Sequence, residues 1–359
     1  MTTNSKIYNS FQDTISKNIF KHRLLYSYTG ESEHHKNVLK EIGVQLHELH
    51  ECKKILFANG ERRIIIYGVG VIGGFVKNIL DLCDIKVTAF CDSDKTKHEK
   101  TSYGLECISV DNLIQNHNTD MVVIAVANAS SINDIKLNLL DLGFPPDNII
   151  PYWELFSAFP QDMKHSQYFD EAIPLVSHLP ENQKHVFVDA GCFDFYDSTR
   201  FVNWCDGEYS KIIAFEPNPQ QYPVCLERAK DLQNITIYPF GLWHEDTTLY
   251  FENQYMASAA KITDSETSGV QVEVKNLDDI LNGDFVSFIK MDIEGAELNA
   301  LKGAEKTILK HRPILAISLY HKSEDILTIP EYILSLHSDY KLYLRHYAIL
   351  PCETVLYAV

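Results

Sequence analysis

VFVDAGCFDFYDSTRFVNW, residues 186–204, decides the fold. Val186, Phe187 and Val188 carry no charge before Asp189, as in a short strand covered on both faces, and Gly191 then turns the chain into a helix-length segment. The same kind of unit recurs downstream as KIIAFE (211–216), ITIYPF (235–240), VSFIKMD (286–292) and PILAISLY (313–320), short β-rich runs set apart by longer segments. KLYLRHY (341–347) and TVLYAV (354–359) close the series with no helix between them. They therefore form a hairpin, which adds an antiparallel edge to an otherwise parallel sheet.

A first series of this kind lies upstream: RIIIY (63–67), KVTAFC (86–91), MVVIAVA (121–127) and NII (148–150). The expected fold class is α/β, with two tandem Rossmann-like open sheets. The topology of the C-terminal sheet is that of a class I methyltransferase fold with an antiparallel edge strand. Residues 1–61 show irregular helical spacing and no strand-like run, and are expected as a helical arm. The expected divisions are 1–61 for the arm, 62–156 for a nucleotide-binding-type domain, 157–180 for a connector and 181–359 for the second sheet.

The 359 residues include 32 Lys and Arg against 49 Asp and Glu, a formal net charge of −17. A polyanionic partner is electrostatically unfavourable, which argues against nucleic acid and an anionic membrane surface. No run of about 18 apolar residues is present to span a bilayer. The first twenty residues, MTTNSKIYNSFQDTISKNIF, interrupt their apolar positions with polar ones, unlike a secretory signal. A cytoplasmic location is the expectation. The eight cysteines lack CxxC spacing and read as buried thiols of a reducing compartment.

Two glycine loops differ in charge. Gly68, Gly70 and Gly73 follow strand RIIIY with no carboxylate inside the loop, and Asp92 closes the next strand where a ribose-binding acid is expected. The helix N-terminus there can receive a diphosphate. Close helix–strand packing or dimerisation, in a homo-oligomer, is the alternative account of these glycines. The second loop holds Asp189, Gly191, Asp194 and Asp197. Three carboxylates around one turn repel a pyrophosphate and favour a cationic ligand such as S-adenosylmethionine. Gly191 lets backbone approach such a ligand closely. In AFEPNP, Glu216 ends the next strand, where a carboxylate accepts ribose hydroxyls, with Asn218 beside it. Gly241, Leu242 and Trp243 fall where the adenine is expected, Leu242 or Trp243 serving to stack on it or simply to pack the core.

Candidate chemistry gathers at two further strand ends. VSFIKMD places Lys290 and Asp292 on one face, Glu294 and Glu297 follow at the start of a helix, and PILAISLY runs into His321. Asp292 and His321 are the candidate bases for taking a proton from a hydroxyl. A second version has Asp292, Glu294 and His321 hold Mg²⁺ or Mn²⁺. Glu297 reads mainly as a residue favoured by the helix dipole.

IKMDIEGAELNALKGAE, with VDAGCFD, FEPNP, GLW and SLYHK, closely resembles the FkbM family of S-adenosylmethionine-dependent methyltransferases over about residues 181 to 359. The resemblance implies a sugar or natural-product O-methyltransferase. Phe195 and Tyr196 depart from the pattern, since relatives commonly place a glycine there. Residues 62–156 separately resemble Rossmann-like sugar-nucleotide-binding domains of surface-polysaccharide enzymes. The implied acceptor is a small molecule, a sugar or nucleoside-diphosphate sugar. Two other classes compete: an NAD(P)-dependent oxidoreductase using the first loop, and a non-catalytic nucleotide-binding scaffold. Affinity for S-adenosylmethionine as against NAD or NADP separates all three.

Overall fold

The apolar run expected to decide the fold forms the centre of a sheet. In the structure, a computed structural model, residues 3–44, 46–58, 60–98, 101–156, 166–175, 183–252, 261–263 and 269–359 are described. The chain divides into two units, one of Met1–Gly30 with Lys164–Val359 and the other of Glu31–Met163. The helices expected as one arm are thus shared out. Thr3–Ser10 and Thr14–Thr29 fold with the C-terminal sheet, while Ser32–Glu41 and Leu46–Leu56 fold with the other. Of the expected connector 157–180, only 166–175 lies within the described residues.

In the unit Glu31–Met163 the strands are β1 (Ile64–Tyr67), β2 (Val87–Cys91), β3 (Thr101–Ser102), β4 (Leu105–Ile108), β5 (Met121–Ile124) and β6 (Ile149–Pro151), in the order β3-β4-β2-β1-β5-β6. Every pair is parallel except β3 with β4. Ile65, Tyr67, Ala89, Val122 and Ile124 pack with Leu139 and Phe144 in one apolar cluster. β1 lies between β2 and β5, so the chain crosses to opposite sides of it, and the loop at its carboxyl end sits at the switch point where open α/β sheets bind ligands.

The other unit contains β7 (His185–Ala190), β8 (Tyr209–Phe215), β9 (Ile235–Tyr238), β10 (Gly241–Trp243), β11 (Thr247–Glu252), β12 (Lys261–Thr263), β13 (Gly269–Asn276), β14 (Phe288–Met291), β15 (Ile314–Ser318), β16 (Leu342–His346) and β17 (Thr354–Ala358). Seven of them form a sheet in the order β16-β17-β15-β14-β7-β8-β9, with β7 at the switch point. The closing hairpin is present, and the structure adds its order. β17 pairs antiparallel with both β15 and β16, so the antiparallel strand is second from the edge and β16 is outermost. All five residues of β17 are buried, which a position with a neighbour on each side satisfies. The exposed edge of β16 is covered from the N-terminus: Leu344 N donates to Ser16 Oγ (2.8 Å), Gln12 N donates to the Leu342 carbonyl (3.0 Å), and Arg345 pairs with Asp13 at 2.7 Å. Covering an edge in this way removes a template for unwanted strand pairing.

Between β9 and β14 a second sheet of order β10-β13-β11-β12 was not anticipated. Its sequence signal is the alternation of Val270, Val272 and Val274 in GVQVEVKN. The main core is aromatic, with the Phe187 and Phe201 rings stacked at 4.2 Å and Phe169, Trp204 and Phe288 packed around them. Seven of the eight cysteines are buried.

Candidate active site

Asp189 ends β7 fully buried, and its two oxygens are already engaged. Lys290 Nζ donates to Oδ1 at 2.9 Å and to the Gly191 carbonyl at 2.8 Å, while Ser198 Oγ donates to Oδ2 at 2.6 Å. Burial works against the Lys290 charge, but Asp189, Asp197 and Asp292 hold the ammonium protonated. The expectation that Asp189 faces a cofactor is therefore corrected: it braces the loop from beneath. Gly191 has φ +74°, and a Cβ there would lie 2.0 Å from the Asp292 carbonyl oxygen, so the glycine is required by the backbone that follows β14. Asp194 pairs with Arg228 at 2.7 Å and Asp197 with Arg200 at 3.0 Å. The negative field inferred from three carboxylates is thus largely neutralised, by Lys290 and Arg228 from afar in sequence and by Arg200 one helical turn on.

Glu216 is buried. It stands at the carboxyl end of β8, where Oε2 accepts Phe193 N–H and Oε1 accepts Asn218 N–H, both at 2.8 Å. Burial pushes its carboxyl up to about 7 against those bonds. Each oxygen retains a lone pair for a hydroxyl. The Asn218 side chain accepts Gln220 N–H at 2.9 Å and shapes the turn. Gly241, Leu242 and Trp243 form β10 of the small sheet, where Leu242 is buried and the half-buried Trp243 packs on Leu249, Val272 and Val274, as the core-packing alternative has it.

Asp292, Glu294, Glu297 and His321 converge at the ends of β14 and β15. His321 Nδ1 lies 2.9 Å from Glu297 Oε1, and Nε2 lies 3.3 Å from Glu294 Oε2 and 3.5 Å from Asp292 Oδ1. These are ion-pair contacts: neither ring nitrogen has a hydrogen bond of proper direction, and Glu297 Oε2 is buried with no partner. Glu297 Oε1 also accepts Ile293 N–H at 2.9 Å. Burial works against a charged imidazole, yet Glu294, Glu297 and Asp292 outweigh it and push His321 up to about 11. The three carboxylates thus favour the protonated ring, which opposes the use of His321 as a base. Asp292 accepts from Tyr168 Oη (2.7 Å) and Tyr320 Oη (3.0 Å). Burial opposes its ionisation, but His321, Lys290 and the two phenols hold it below the usual carboxylate range.

In the other unit, Gly68 and Gly73 serve packing. A Cβ on Gly68 would lie 2.5 Å from the Ala125 carbonyl oxygen, and one on Gly73 would lie 2.0 Å from the Gly68 carbonyl oxygen. Gly70 alone has open space around it, at the N-terminus of the helix Val71–Leu82, whose first turn carries no acid. Asp92 is buried at the end of β2. Its Oδ2 accepts Val69 N–H and the Lys97 ammonium, both at 2.9 Å, and its Oδ1 accepts Asp94 N–H at 2.9 Å, so it fastens the loop. In the C-terminal unit, a separate groove lined by Lys184, Val186, Ser210, Lys211 and Phe285 opens at the amino ends of β7 and β8, the end opposite Glu216 and Asp292.

The family description "Methyltransferase FkbM domain" matches residues 189–347, which hold Asp189, Glu216, Asp292 and His321. Over that stretch the chain is similar to the FkbM methyltransferase family. Residues 60–150 match a second family described as "C2185-like, N-terminal". "Methyltransferase 1" of Beauveria bassiana is 30% identical over 174 residues, 39% of this chain and 66% of that relative, so the chain spans just under two thirds of its length. The crystal structure of methyltransferase FkbM from Methylobacillus flagellatus KT is 20% identical, with a TM-score of 0.49 over 94% of this chain and 99% of that one. UDP-D-quinovosamine 4-dehydrogenase from Vibrio fischeri is 26% identical over 26% of this chain and 76% of its own, with a TM-score of 0.21. At these TM-scores neither structure bears on function.

The FkbM domain accommodates its missing loop glycine by burial. Phe195 has φ +67°, a left-handed conformation that costs a non-glycine residue roughly 1–2 kcal/mol. Its ring is fully buried in the aromatic core, a gain of about 1.5–3 kcal/mol that holds it there. Sequence reading missed Tyr168, which enters the FkbM site from outside the matched stretch, along with Tyr320 and Arg228. Tyr320 stands next to His321 and was within reach of inspection. Tyr168 lies 124 residues from Asp292, and no local spacing signals it.

Proposed function

We propose that the chain is an S-adenosylmethionine-dependent O-methyltransferase acting on a hydroxyl of a sugar or sugar nucleotide. The observation that carries this reading is the placement of Glu216 and Asp292 at the carboxyl ends of β8 and β14, the strands flanking the switch strand β7, with His321 beyond the end of the next strand, β15. Glu216 accepts the ribose hydroxyls of the cofactor, and the acceptor hydroxyl meets the cluster. An O–CH₃ bond forms as the S–CH₃ bond breaks, the electron pair stays on sulfur, and the hydroxyl proton passes to the Asp292 carboxylate. Alignment of the two reacting atoms supplies much of the rate. Transfer of labelled methyl from S-adenosylmethionine to a sugar nucleotide, followed by mass spectrometry, tests the reading.

Glu216→Ala is expected to weaken S-adenosylmethionine binding tenfold or more, since hydrogen bonds to a charged acceptor contribute about 1.5–3 kcal/mol. Calorimetry with the purified variant checks this, and an unchanged affinity removes Glu216 from the site.

The open face at Gly70 supports a second binding event, the diphosphate of the acceptor sugar nucleotide at the N-terminus of the helix Val71–Leu82. Gly70→Asp fits sterically and sets a carboxylate against the phosphates. A loss of nucleoside-diphosphate-sugar affinity of at least tenfold is expected, with S-adenosylmethionine binding retained. Equal sugar-nucleotide affinity in both proteins assigns the glycines to packing.

A further inference from the structure

We infer that the cluster around His321 is a binding site for one divalent cation of the Mn²⁺ or Mg²⁺ type, and that Glu297 is one of its ligands. This deepens the proposed methyl-transfer site, although cation binding can be read without turnover. Asp292, Glu297 and His321 each offer one ligand atom, and these atoms all lie within 4.8 Å of one another. Glu294 stands at the rim, with Oε2 3.3 Å from His321 Nε2. A cation drawing these side chains together by about an ångström each reaches the bond lengths of 2.0–2.2 Å usual for such ligands.

Charge and hydrogen bonding both point to a missing partner. Three carboxylates surround one imidazole, so even with that ring protonated the cluster keeps a surplus of two negative charges. The nearby Lys290 is committed to Asp189 and Gly191. Glu297 is completely buried, its Oε1 holding Ile293 N–H while Oε2 has no partner. An unsatisfied buried carboxylate oxygen is costly, and a cation satisfies it directly. The His321 side chain is 5% exposed, and both its ring nitrogens lack a directed hydrogen bond. The donors are oxygens and one imidazole with no thiolate, a set that suits Mn²⁺ or Mg²⁺ better than a soft metal. Asp292 and Glu294 keep 22% and 28% of their side chains exposed, so the site opens toward the strand-end crevice, where a substrate oxygen can complete the coordination. Bound there, the cation supplies Lewis acidity that lowers the pKa of a coordinated hydroxyl.

The sequence reading placed Glu294 with Asp292 and His321 and set Glu297 aside as a helix-dipole residue. The fold reverses the weights of the two glutamates, because the first turn of the helix Glu297–Lys302 carries Glu297 inward against His321.

The test uses the full chain stripped of metal with EDTA and titrated with Mn²⁺, counting free Mn²⁺ by electron paramagnetic resonance and reading imidazole nitrogen coupling by electron spin echo. The expected result is one site per chain with a single imidazole nitrogen coupled to the ion, and competition by Mg²⁺. Glu297→Gln should weaken Mn²⁺ binding at least tenfold, and His321→Gln should abolish the nitrogen coupling. Absence of stoichiometric binding at millimolar Mn²⁺, or binding with no nitrogen coupling, overturns the proposal. The echo measurement on the unaltered protein decides it even if Glu297→Gln does not fold. Calorimetry with S-adenosylmethionine on the same sample keeps the two readings apart: cofactor binding without Mn²⁺ defeats only the cation site, and Mn²⁺ binding without cofactor defeats only the methyl-donor reading.

Discussion

Lys290→Met is expected to destabilise the C-terminal unit by about 3–5 kcal/mol, the usual consequence of leaving a buried charge without its partner. Lys290 and Asp189 have side chains 2% and 0% exposed, and the ammonium also holds the Gly191 carbonyl and lies 3.6 Å from Asp197. Methionine fills similar space and offers nothing to Asp189. Of the three tryptophans, Trp204 and Trp243 belong to this unit, so urea unfolding followed by tryptophan fluorescence reports on it. Asp189→Asn added to Lys290→Met should recover much of the loss, because a neutral amide is cheaper to bury and still accepts from Ser198. A single variant within about 1 kcal/mol of the parent shows that water reaches the pair.

Asp292→Asn should lower turnover by about two orders of magnitude, the common scale for losing a proton acceptor, while S-adenosylmethionine affinity changes little. The asparagine oxygen still accepts from Tyr168 and Tyr320, so the surrounding structure is retained. His321→Ala should cost a similar factor. With the imidazole gone, Glu294, Glu297 and Asp292 repel one another and the cleft loses its shape. Single-turnover measurement at saturating cofactor separates the chemical step from binding. Full activity in Asp292→Asn removes that carboxylate from proton transfer.

The strands were legible because their apolar runs carry the pattern locally. RIIIY, MVVIAVA, VFVDA and PILAISLY each become strands whose residues are mostly or wholly buried. The small sheet was overlooked although GVQVEVKN alternates polar with apolar residues, because GLW was assigned to a ligand and the partner strands lie apart in the chain. For Gly68 and Gly73 the packing alternative describes what surrounds them, and Gly191 is in the same position. A glycine signals close approach without stating to what, and all three face backbone carbonyls.

The sequence by itself determined the two tandem sheets, the family of the second, and the coming together of Asp292, Glu294 and His321 at neighbouring strand ends. Those features depend on short-range period and on the order of strand and turn, which residues carry individually. Only the tertiary structure decided what each charge faces. Asp189 turned to Lys290, Asp194 to Arg228, Asp92 to its own loop, and Glu297 to His321. Electrostatic energy depends on the distance and burial of the partner, and these partners lie up to 101 residues apart in the chain. A count of carboxylates in a loop therefore states its charge, and folding alone states how much of that charge is left for a ligand.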